Sequence, residues 1–447
     1  MALTGLDIYK KLPQTNCGEC GVPTCLAFAM KLASGGASLD SCPHVSQEAK
    51  DALSEASAPP MREVTIGQGD NALKIGGEQV LFRHEKTFFN PCGFALVIDD
   101  SMEAAEVDSR LESLKKMRFE RVGYELKTDL AALKCSSGDK SSFAGLVEKV
   151  KGSCDLPLVL MSDDPDVMSA ALDVCGTGKP LMASATPENC DAMAELAKKH
   201  QCPLVVRAGS VEELSGLTDK ISKAGVQDLV LDSGSRDLSK TLENLVMMRR
   251  SALKKKFRPL GYPTITFPCQ ETQDEMLEAI HASVYVMKYG GIMVMNNLEP
   301  WSALPLFVLR QNIYTDPQRP MQVKEGFYDF ASPDESSPVL VTTNFSLTYF
   351  IVSSEIESSK RPAHLGIVDS EGLSTLTAWA AGKFTAEKIA AFIKKSGIED
   401  KVKHRKVVIP GYVAQIKGEL EEELEGWEVM VGPREASEIP GFLKSWQ

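Results

Sequence analysis

The sequence predicts an α/β protein of three structural units: a small cysteine-containing unit, a central (β/α)8 TIM-like barrel and a C-terminal doubly wound α/β unit. Three observations lead to this prediction. Four cysteines lie close together near the N-terminus, eight short apolar runs alternate with helical patterns in the middle of the chain, and the alternation resumes after a break containing two prolines and a glycine. The 447 residues accommodate about three units of roughly 150 residues.

The composition argues against several classes of protein. Asp and Glu number 61 against 49 Lys and Arg, a net charge of −12, whereas a general nucleic-acid binder carries a basic footprint. No run of 18 apolar residues predicts a transmembrane helix, and residues 1–14 lack the apolar core of a secretory signal. We therefore expect a cytoplasmic protein with no membrane or nucleic-acid partner.

The N-terminal unit, residues 1–58, has the cysteine spacing C-x2-C-x4-C-x16-C. In a reducing compartment, clustered cysteines indicate a metal site rather than disulfides. Zinc sites of four cysteines usually contain two close pairs, whereas this spacing has one close pair and two single cysteines. The asymmetry favours a 4Fe–4S cluster, with zinc or no metal as the alternatives, and Pro43 matches the Cys-Pro ending of ferredoxin motifs. The expected metal ligands are Cys17, Cys20, Cys25 and Cys42.

Residues 59–92 are predicted to be a linker with short strands at Glu63–Ile66 and Gln79–Arg83. A tether of this kind, beginning after Ala58, would let the cluster unit swing relative to the barrel. The seven remaining cysteines are scattered beside apolar runs, and we expect them to be buried thiols. They are Cys92, Cys135, Cys154, Cys175, Cys190, Cys202 and Cys269.

The barrel is predicted over residues 93–318. Parallel strands buried on both faces are near-continuous apolar runs, and strand–helix alternation in eight units fits a closed barrel better than an open sheet. The eight predicted strands lie within residues 94–100, 131–137, 156–163, 180–186, 203–209, 228–234, 264–269 and 291–297. Polar residues at their ends could be catalytic, but such residues are also ordinary at strand ends: Asp99, Asp100, Asp163, Asp232 and Asn296.

The C-terminal unit is predicted over residues 325–447. Four short strands with helices between them indicate a small doubly wound, Rossmann-like α/β fold. The strands lie within residues 339–344, 364–370, 406–411 and 427–433. No dinucleotide fingerprint, phosphate loop, H-E-x-x-H or nucleophile elbow is present, so the chain does not look like a self-sufficient enzyme.

These features together resemble one family, the large subunit of the corrinoid iron–sulfur protein of the reductive acetyl-CoA pathway. It is also called the gamma subunit of the acetyl-CoA decarbonylase/synthase complex. The resemblance covers the whole chain, and its most specific parts are the cysteine segment and residues 342–350 and 369–384. The cysteine segment alone is also similar to the cluster domain of membrane-associated electron-transfer subunits.

The resemblance implies a methyl carrier rather than a stand-alone enzyme. A cobalt corrinoid (cobamide) on the C-terminal unit would take a methyl group from methyltetrahydrofolate through a separate methyltransferase. The carrier would then give it to the acetyl-CoA synthase of the carbon monoxide dehydrogenase/acetyl-CoA synthase system, while the cluster restores Co(I) from Co(II). A smaller barrel subunit would complete the corrinoid pocket as a heterodimer.

Ligands of open α/β sheets bind beyond the carboxyl ends of the strands. The loops there are rich in small and hydroxyl residues, which suit an amide-edged macrocycle but are also common as caps and turns. With the resemblance, the candidate corrinoid contacts are Thr343, Asn344, Ser346, Thr348, Ser370, Glu371, Gly372, Leu373, Ser374, Thr375, Gly411, Gly432 and Pro433. Ser374 is the candidate for the lower face of the corrin, and Leu373 and Leu376 are candidates for apolar cover.

The chain lacks the D-x-H-x-x-G motif with which many corrinoid proteins coordinate cobalt. His364 and His404 precede or begin their strands, on the wrong side of the sheet for the pocket. We therefore expect no histidine ligand to cobalt. Two alternatives stay open: an iron–sulfur electron-transfer subunit without corrinoid, and a barrel methyltransferase that binds the pterin itself.

Overall fold

The computed structural model describes residues 5–33, 37, 39–46, 49, 59–122, 124–316 and 321–446. The unit boundaries predicted at residues 58 and 318 lie outside these ranges. The strands are β1 Glu63–Ile66, β2 Leu73–Gly76, β3 Gly93–Asp99, β4 Arg118–Arg121, β5 Tyr124–Lys127, β6 Leu130–Lys134, β7 Leu158–Met161, β8 Leu181–Ala185, β9 Leu204–Arg207, β10 Leu229–Asp232, β11 Ile265–Thr266, β12 Ile292–Met295, β13 Gly326–Phe330, β14 Val339–Thr343, β15 Ala363–Val368, β16 Lys406–Ile409 and β17 Glu428–Val431.

The helices begin and end as follows: α1 Gly5–Tyr9, α2 Cys25–Ala33, α3 Ala104–Lys116, α4 Lys140–Ser153, α5 Pro165–Cys175, α6 Cys190–His200, α7 Val211–Lys223, α8 Leu238–Lys254, α9 Pro268–Glu271, α10 Glu275–Met287, α11 Pro300–Tyr314, α12 Ser346–Ser359, α13 Thr375–Ala380, α14 Ala386–Ser396, α15 Lys417–Glu423 and α16 Ile439–Lys444. In the described ranges, no helix combines the length and apolar content that crossing a membrane requires.

The central sheet has eight parallel strands in the order β10-β9-β8-β7-β6-β3-β12-β11. A parallel bridge between Leu231 of β10 and Thr264, just before β11, brings the two ends together into a nearly closed barrel. Each of the eight predicted strands is present, so the predicted barrel is confirmed. Their continuous apolar character follows from burial on both faces, toward the interior and toward the surrounding helices.

The antiparallel hairpin β1–β2 packs against the barrel interior. Val64, Ile66 and Ile75 share one apolar cluster with side chains of the barrel strands. The predicted strand at Gln79–Arg83 is wrong, because these residues form no strand. The second strand of this segment is β2 at Leu73–Gly76, which pairs with β1. That strand ends at two consecutive glycines with positive φ, 85° and 81°, a conformation that takes the chain out of the sheet.

The C-terminal sheet has the order β13-β15-β14-β16-β17. Strands β14 to β17 are parallel as predicted, whereas β13 is an antiparallel edge strand that the sequence analysis missed. Helices cover both faces, with α12 and α16 on one face and α14 and α15 on the other. The strand order reverses between β14 and β16, so their carboxyl ends form a topological switch point, the usual ligand-binding crevice of such folds.

Candidate functional site

The four N-terminal cysteines differ in burial. Cys25 and Cys42 are buried in its apolar core, Cys20 packs against that core, and Cys17 is exposed. The ligand atoms of Cys17, Glu19 and His44 lie within 4.8 Å of one another. His44 follows Cys42 by two residues, so Cys17 lies near the chain segment that carries Cys42, whereas Cys20, Cys25 and Cys42 are not members of this group.

Backbone geometry around the close pair suits metal ligation by thiolates. Gly18 and Gly21 have φ of +77° and +79° and are joined by a backbone hydrogen bond of 3.0 Å, which forms the tight turn between the first ligands. The backbone N–H of Asn16 donates to the Cys25 sulfur at 3.4 Å, and the Asn16 side-chain oxygen accepts from the Cys25 N–H at 2.8 Å. The first bond orients the Cys25 sulfur, and the second holds its backbone. Hydrogen bonds to sulfur are a usual feature of iron–sulfur ligands.

A cavity of about 450 Å³ opens at the switch point of the C-terminal sheet. This volume lies within the range of small-molecule sites, and its lining is mainly apolar with a few polar groups, as in such sites. The cavity lies between one face of the sheet and helices α12 and α16. Its lining residues are Leu340, Val341, Thr342, Thr348, Ile351, Val352, Leu365, Ser374, Thr375, Leu376, Val408, Ile409, Pro410, Tyr412, Gly432, Pro433, Arg434, Glu435, Ala436 and Ile439.

Two glycines allow the loops after β16 and β17 to approach each other at this edge. A Cβ atom on Gly411 would lie 2.6 Å from the Gly432 carbonyl oxygen and 2.8 Å from the Arg434 nitrogen. A Cβ atom on Gly432 would lie 2.8 Å from Val408. The Gly411 N–H donates to the Pro433 carbonyl at 2.9 Å. The absence of side chains at both positions therefore shapes the rim of the cavity.

Asn344 holds the loop after β15 in place. Its side-chain oxygen accepts hydrogen bonds from the Ser370 N–H at 3.1 Å, the Ser370 hydroxyl at 2.8 Å and the Gly372 N–H at 2.9 Å. Its side-chain nitrogen donates to Asp369 at 2.9 Å. Asn344, Ser370 and Gly372 are buried, so their hydrogen-bonding groups serve the loop rather than the open cavity. This network places the following residues, Ser374 and Thr375, at the cavity wall.

Of the predicted contact residues, five line the cavity: Thr348, Ser374, Thr375, Gly432 and Pro433. Gly411 adjoins it through the loop contact described above. Thr343 shares the strand face of Val339, which packs in the core on the other side of the sheet, because side chains alternate along a strand. Ser346, Glu371 and Leu373 are outside the lining, and Glu371 pairs with Lys383 at 2.5 Å.

The sequence analysis missed the apolar side of the cavity. Ile351, Leu376 and Tyr412 line it and are 47%, 49% and 43% exposed. Of these three residues, the sequence analysis named Leu376 alone, as a candidate for apolar cover. Exposed apolar side chains grouped at a crevice indicate a surface made for a ligand or partner. The signal was present in helix α12, whose sequence is apolar on more than one side, which is unusual for a helix that covers a sheet.

No histidine of the described residues lines the cavity. His364 begins β15 and its Nδ1 lies 2.6 Å from Asp329, and His404 precedes β16 and contacts the Ser337 carbonyl at 2.9 Å. Both lie toward the amino ends of the strands, opposite the cavity. At the rim, the Tyr412 hydroxyl donates to Glu435, which raises the pKa of Tyr412.

Three of the four acids named at the barrel's strand ends are engaged in ion pairs, and the fourth, Asp100, accepts hydrogen bonds from Ser136 and Ser137. Burial opposes ionisation of Asp99, but hydrogen bonds from Ser136 and Ser101 outweigh it and lower the pKa of Asp99. Asp232 is only 2% exposed. Carboxylates that are paired with Lys or Arg side chains stabilise the barrel. Their charge is balanced by these partners, so they are poor candidates for catalytic groups. The pairs are Lys134–Asp99 at 3.2 Å, Arg207–Asp163 at 2.5 Å and Arg236–Asp232 at 2.8 Å.

Fold and sites together define a class: a multi-unit protein with a four-cysteine metal unit, a barrel and an α/β ligand-binding unit. A family model described as "CO dehydrogenase/acetyl-CoA synthase delta subunit" matches residues 63–443, and one described as "Putative Fe-S cluster" matches residues 12–44. The "Corrinoid/iron-sulfur protein large subunit" of Moorella thermoacetica is 48% identical over 100% of this chain and 99% of that protein. The "Acetyl-CoA decarbonylase/synthase complex subunit gamma" of Methanopyrus kandleri is 40% identical over 99% of this chain and 97% of that protein.

The chain therefore belongs to the family of corrinoid/iron–sulfur protein large subunits and acetyl-CoA decarbonylase/synthase gamma subunits. The predicted resemblance is confirmed. A solved dihydropteroate synthase from Thermus thermophilus is 17% identical over 56% of this chain and 100% of that chain, with a TM-score of 0.39. A score this low bears on neither fold nor function.

Proposed function

We propose that this chain is a methyl carrier with two cofactors, a cobalt corrinoid in the C-terminal unit and a 4Fe–4S cluster in the N-terminal unit. The methyl group comes from methyltetrahydrofolate through a separate methyltransferase and goes to acetyl-CoA synthase. When bound, the corrinoid supplies a nucleophilic Co(I) centre, and the cluster supplies the low-potential electron that restores Co(I) from Co(II). The observation that carries the proposal is the apolar cavity at the switch point, in a chain related over its full length to corrinoid/iron–sulfur subunits.

The cluster ligands in this proposal are Cys17, Cys20, Cys25 and Cys42. Support comes from the packing of Cys20, Cys25 and Cys42 in one apolar cluster, the turn at Gly18 and the N–H to sulfur bond on Cys25. His44 is half-exposed and pairs with Glu19 at 3.0 Å, which leaves the four sulfurs as the cluster ligands.

The corrinoid contacts in this proposal come from both sides of the cavity. Ser374 and Thr375 offer hydroxyl groups to the amide edge of the macrocycle, and Gly432 allows close backbone approach. Ile351 and Leu376 cover apolar surface. The described residues that line the cavity include no imidazole, so they would offer no strong nitrogen donor to the metal. A weaker donor set favours the electron-rich reduced state.

The chain is a subunit of a larger assembly, as its family membership indicates. The specific partners in this proposal are a small corrinoid iron–sulfur subunit, the methyltetrahydrofolate:corrinoid methyltransferase and carbon monoxide dehydrogenase/acetyl-CoA synthase. Catalysis of the transfers belongs to those enzymes. The paired acids of the barrel give little support to the alternative that this subunit binds the pterin itself.

Metal analysis and an absorption spectrum of the anaerobically purified heterodimer, made with corrinoid available, test the proposal. About four irons and about one cobalt per heterodimer are expected, the content of one 4Fe–4S cluster and one corrinoid. Iron without cobalt would favour the electron-transfer alternative. Methyl transfer from methyltetrahydrofolate by this subunit alone would favour the methyltransferase alternative.

A further inference from the structure

The hairpin β4–β5 is an insertion between helix α3 and strand β6 of the barrel. The sequence analysis did not predict this hairpin. Residues Arg118–Arg121 pair with Tyr124–Lys127 in an antiparallel register. The hairpin carries its own ion pair, in which Arg118 donates to Glu125 at 2.8 Å. It belongs to the barrel in chain order, but the residues near its turn contact the C-terminal unit.

Val122 is part of the C-terminal core rather than the barrel core. It is 5% exposed and belongs to the same apolar cluster as Leu340, Leu365 and Val323. Leu340 and Leu365 also line the cavity. Val122 is therefore buried in the same apolar cluster as two residues of the candidate corrinoid site.

Arg121 connects three elements. Its guanidinium donates to Gln311 of α11 at 2.5 Å, contacts the Met321 sulfur at 3.5 Å and lies 5.9 Å from the centre of the Phe350 ring. The last distance is that of a cation–π contact. Phe350 lies on α12 next to Ile351, a cavity-lining residue, so the guanidinium links the barrel to one wall of the cavity.

The contact between the hairpin and the C-terminal unit is partly open. A cleft of about 360 Å³ is lined by Val122 and Tyr124 of the hairpin segment and by residues 322–325, and it also reaches Asn344 and Asp369. Asn344 holds the loop that carries Ser374. The hairpin thus lies beside both the α12 wall and the support of the opposite wall, through an incompletely filled interface. Interfaces between domains of one chain often permit domain movement.

We propose that the β4–β5 hairpin is a latch that orients the C-terminal unit on the barrel and positions helix α12 for the ligand, with Arg121 as the positioning residue. A carrier has to present its cofactor to a donor and an acceptor in turn, so a small, releasable contact suits it better than a broad one. This consequence rests on the proposed function. Coupling between two sites is reciprocal, so a ligand in the cavity stabilises the latch as much as the latch stabilises the bound ligand.

Hydrogen–deuterium exchange on the heterodimer, with and without corrinoid, tests the latch. In the wild type, corrinoid slows exchange in both α12 and residues 118–127. Arg121→Ala speeds exchange in α12 several-fold and abolishes the protection of the hairpin by corrinoid, and Arg121→Lys, which keeps the charge near Phe350, restores part of both. Arg118→Ala is the matched control, since it removes only the pair with Glu125 and leaves α12 unchanged.

Two results would overturn the latch: exchange in α12 equal in Arg121→Ala and wild type, or equal acceleration by Arg118→Ala. Failure of the proposed function gives a different pattern. In that case the wild type binds no corrinoid, while the exchange of α12 without ligand still responds to Arg121→Ala.

Discussion

Replacing Ile351 by Ala should weaken corrinoid binding about fivefold with little effect on folding. Ile351 is 47% exposed, so a ligand in the cavity can cover about half of its side chain. Complete burial of an isoleucine contributes about 1.5–3 kcal/mol, and half of this is about 1 kcal/mol. Since about 1.4 kcal/mol corresponds to tenfold in affinity, the dissociation constant rises about fivefold.

The assay is an anaerobic titration of corrinoid into the heterodimer freed of corrinoid, followed by absorbance. Leu347 provides the control, because it lies one turn earlier on α12, is 56% exposed and does not line the cavity. Leu347→Ala should bind corrinoid as the wild type does. Equal affinity of Ile351→Ala and wild type, or an equal loss in Leu347→Ala, would refute the assignment of the cavity.

Three further predictions concern the cluster, a buried thiol and an ion pair. Cys25→Ser should lose the cluster's visible absorption and its iron, while Cys154→Ser, a half-buried cysteine of the barrel, should keep both; retention of the full absorption in the first variant would contradict the ligand set. Burial raises the pKa of the Cys92 thiol to about 12, so alkylation of native protein at pH 8 should be far slower at Cys92 than in urea, as mass spectrometry of its peptide can measure. Burial opposes ionisation of Asp329, but the hydrogen bond with His364 outweighs it and lowers the pKa of Asp329. Its stabilising effect is therefore present above the unfolded pKa near 3.9 and is lost as pH falls through the lower folded value. Asp329→Asn should lower the urea midpoint at pH 7, and the difference from wild type should shrink below about pH 4; a difference independent of pH would argue against the ionised pair.

Much of the architecture could be predicted because strands buried on both faces appear in the sequence as short, continuous apolar runs. The eight barrel strands and the four parallel strands are short apolar runs, since both of their faces are covered. Strand β13 escaped prediction because it is an edge strand with half-buried residues, GFYDF, and carries no such run. The hairpin β4–β5 is strongly charged and has few apolar residues. Of its buried residues, Leu126 packs in the barrel core, whereas Val122 packs with a distant part of the chain.

The candidate site was harder to predict than the fold. The rule that ligands bind at carboxyl ends located the correct edge of the sheet, and five of the named residues line the cavity. The same rule could not separate residues that face the cavity from those that support it. Asn344 has an amide side chain that could contact a ligand, but its side-chain oxygen already accepts hydrogen bonds from Ser370 and Gly372. Ile351 lies within helix α12, about two turns beyond the end of β14, and only tertiary folding brings it to the cavity. Tyr412 follows β16 closely, but a search for small and hydroxyl residues overlooks a large aromatic side chain.

The most direct test of the two-site account is the iron and cobalt content of anaerobically purified Ile351→Glu heterodimer. A carboxylate on the apolar wall of the cavity should exclude the corrinoid, because burying an unpaired charge is costly, and it should leave the distant cysteines intact. The account predicts loss of cobalt with iron at the wild-type level. Cobalt retained at the wild-type level would contradict the placement of the corrinoid in this cavity.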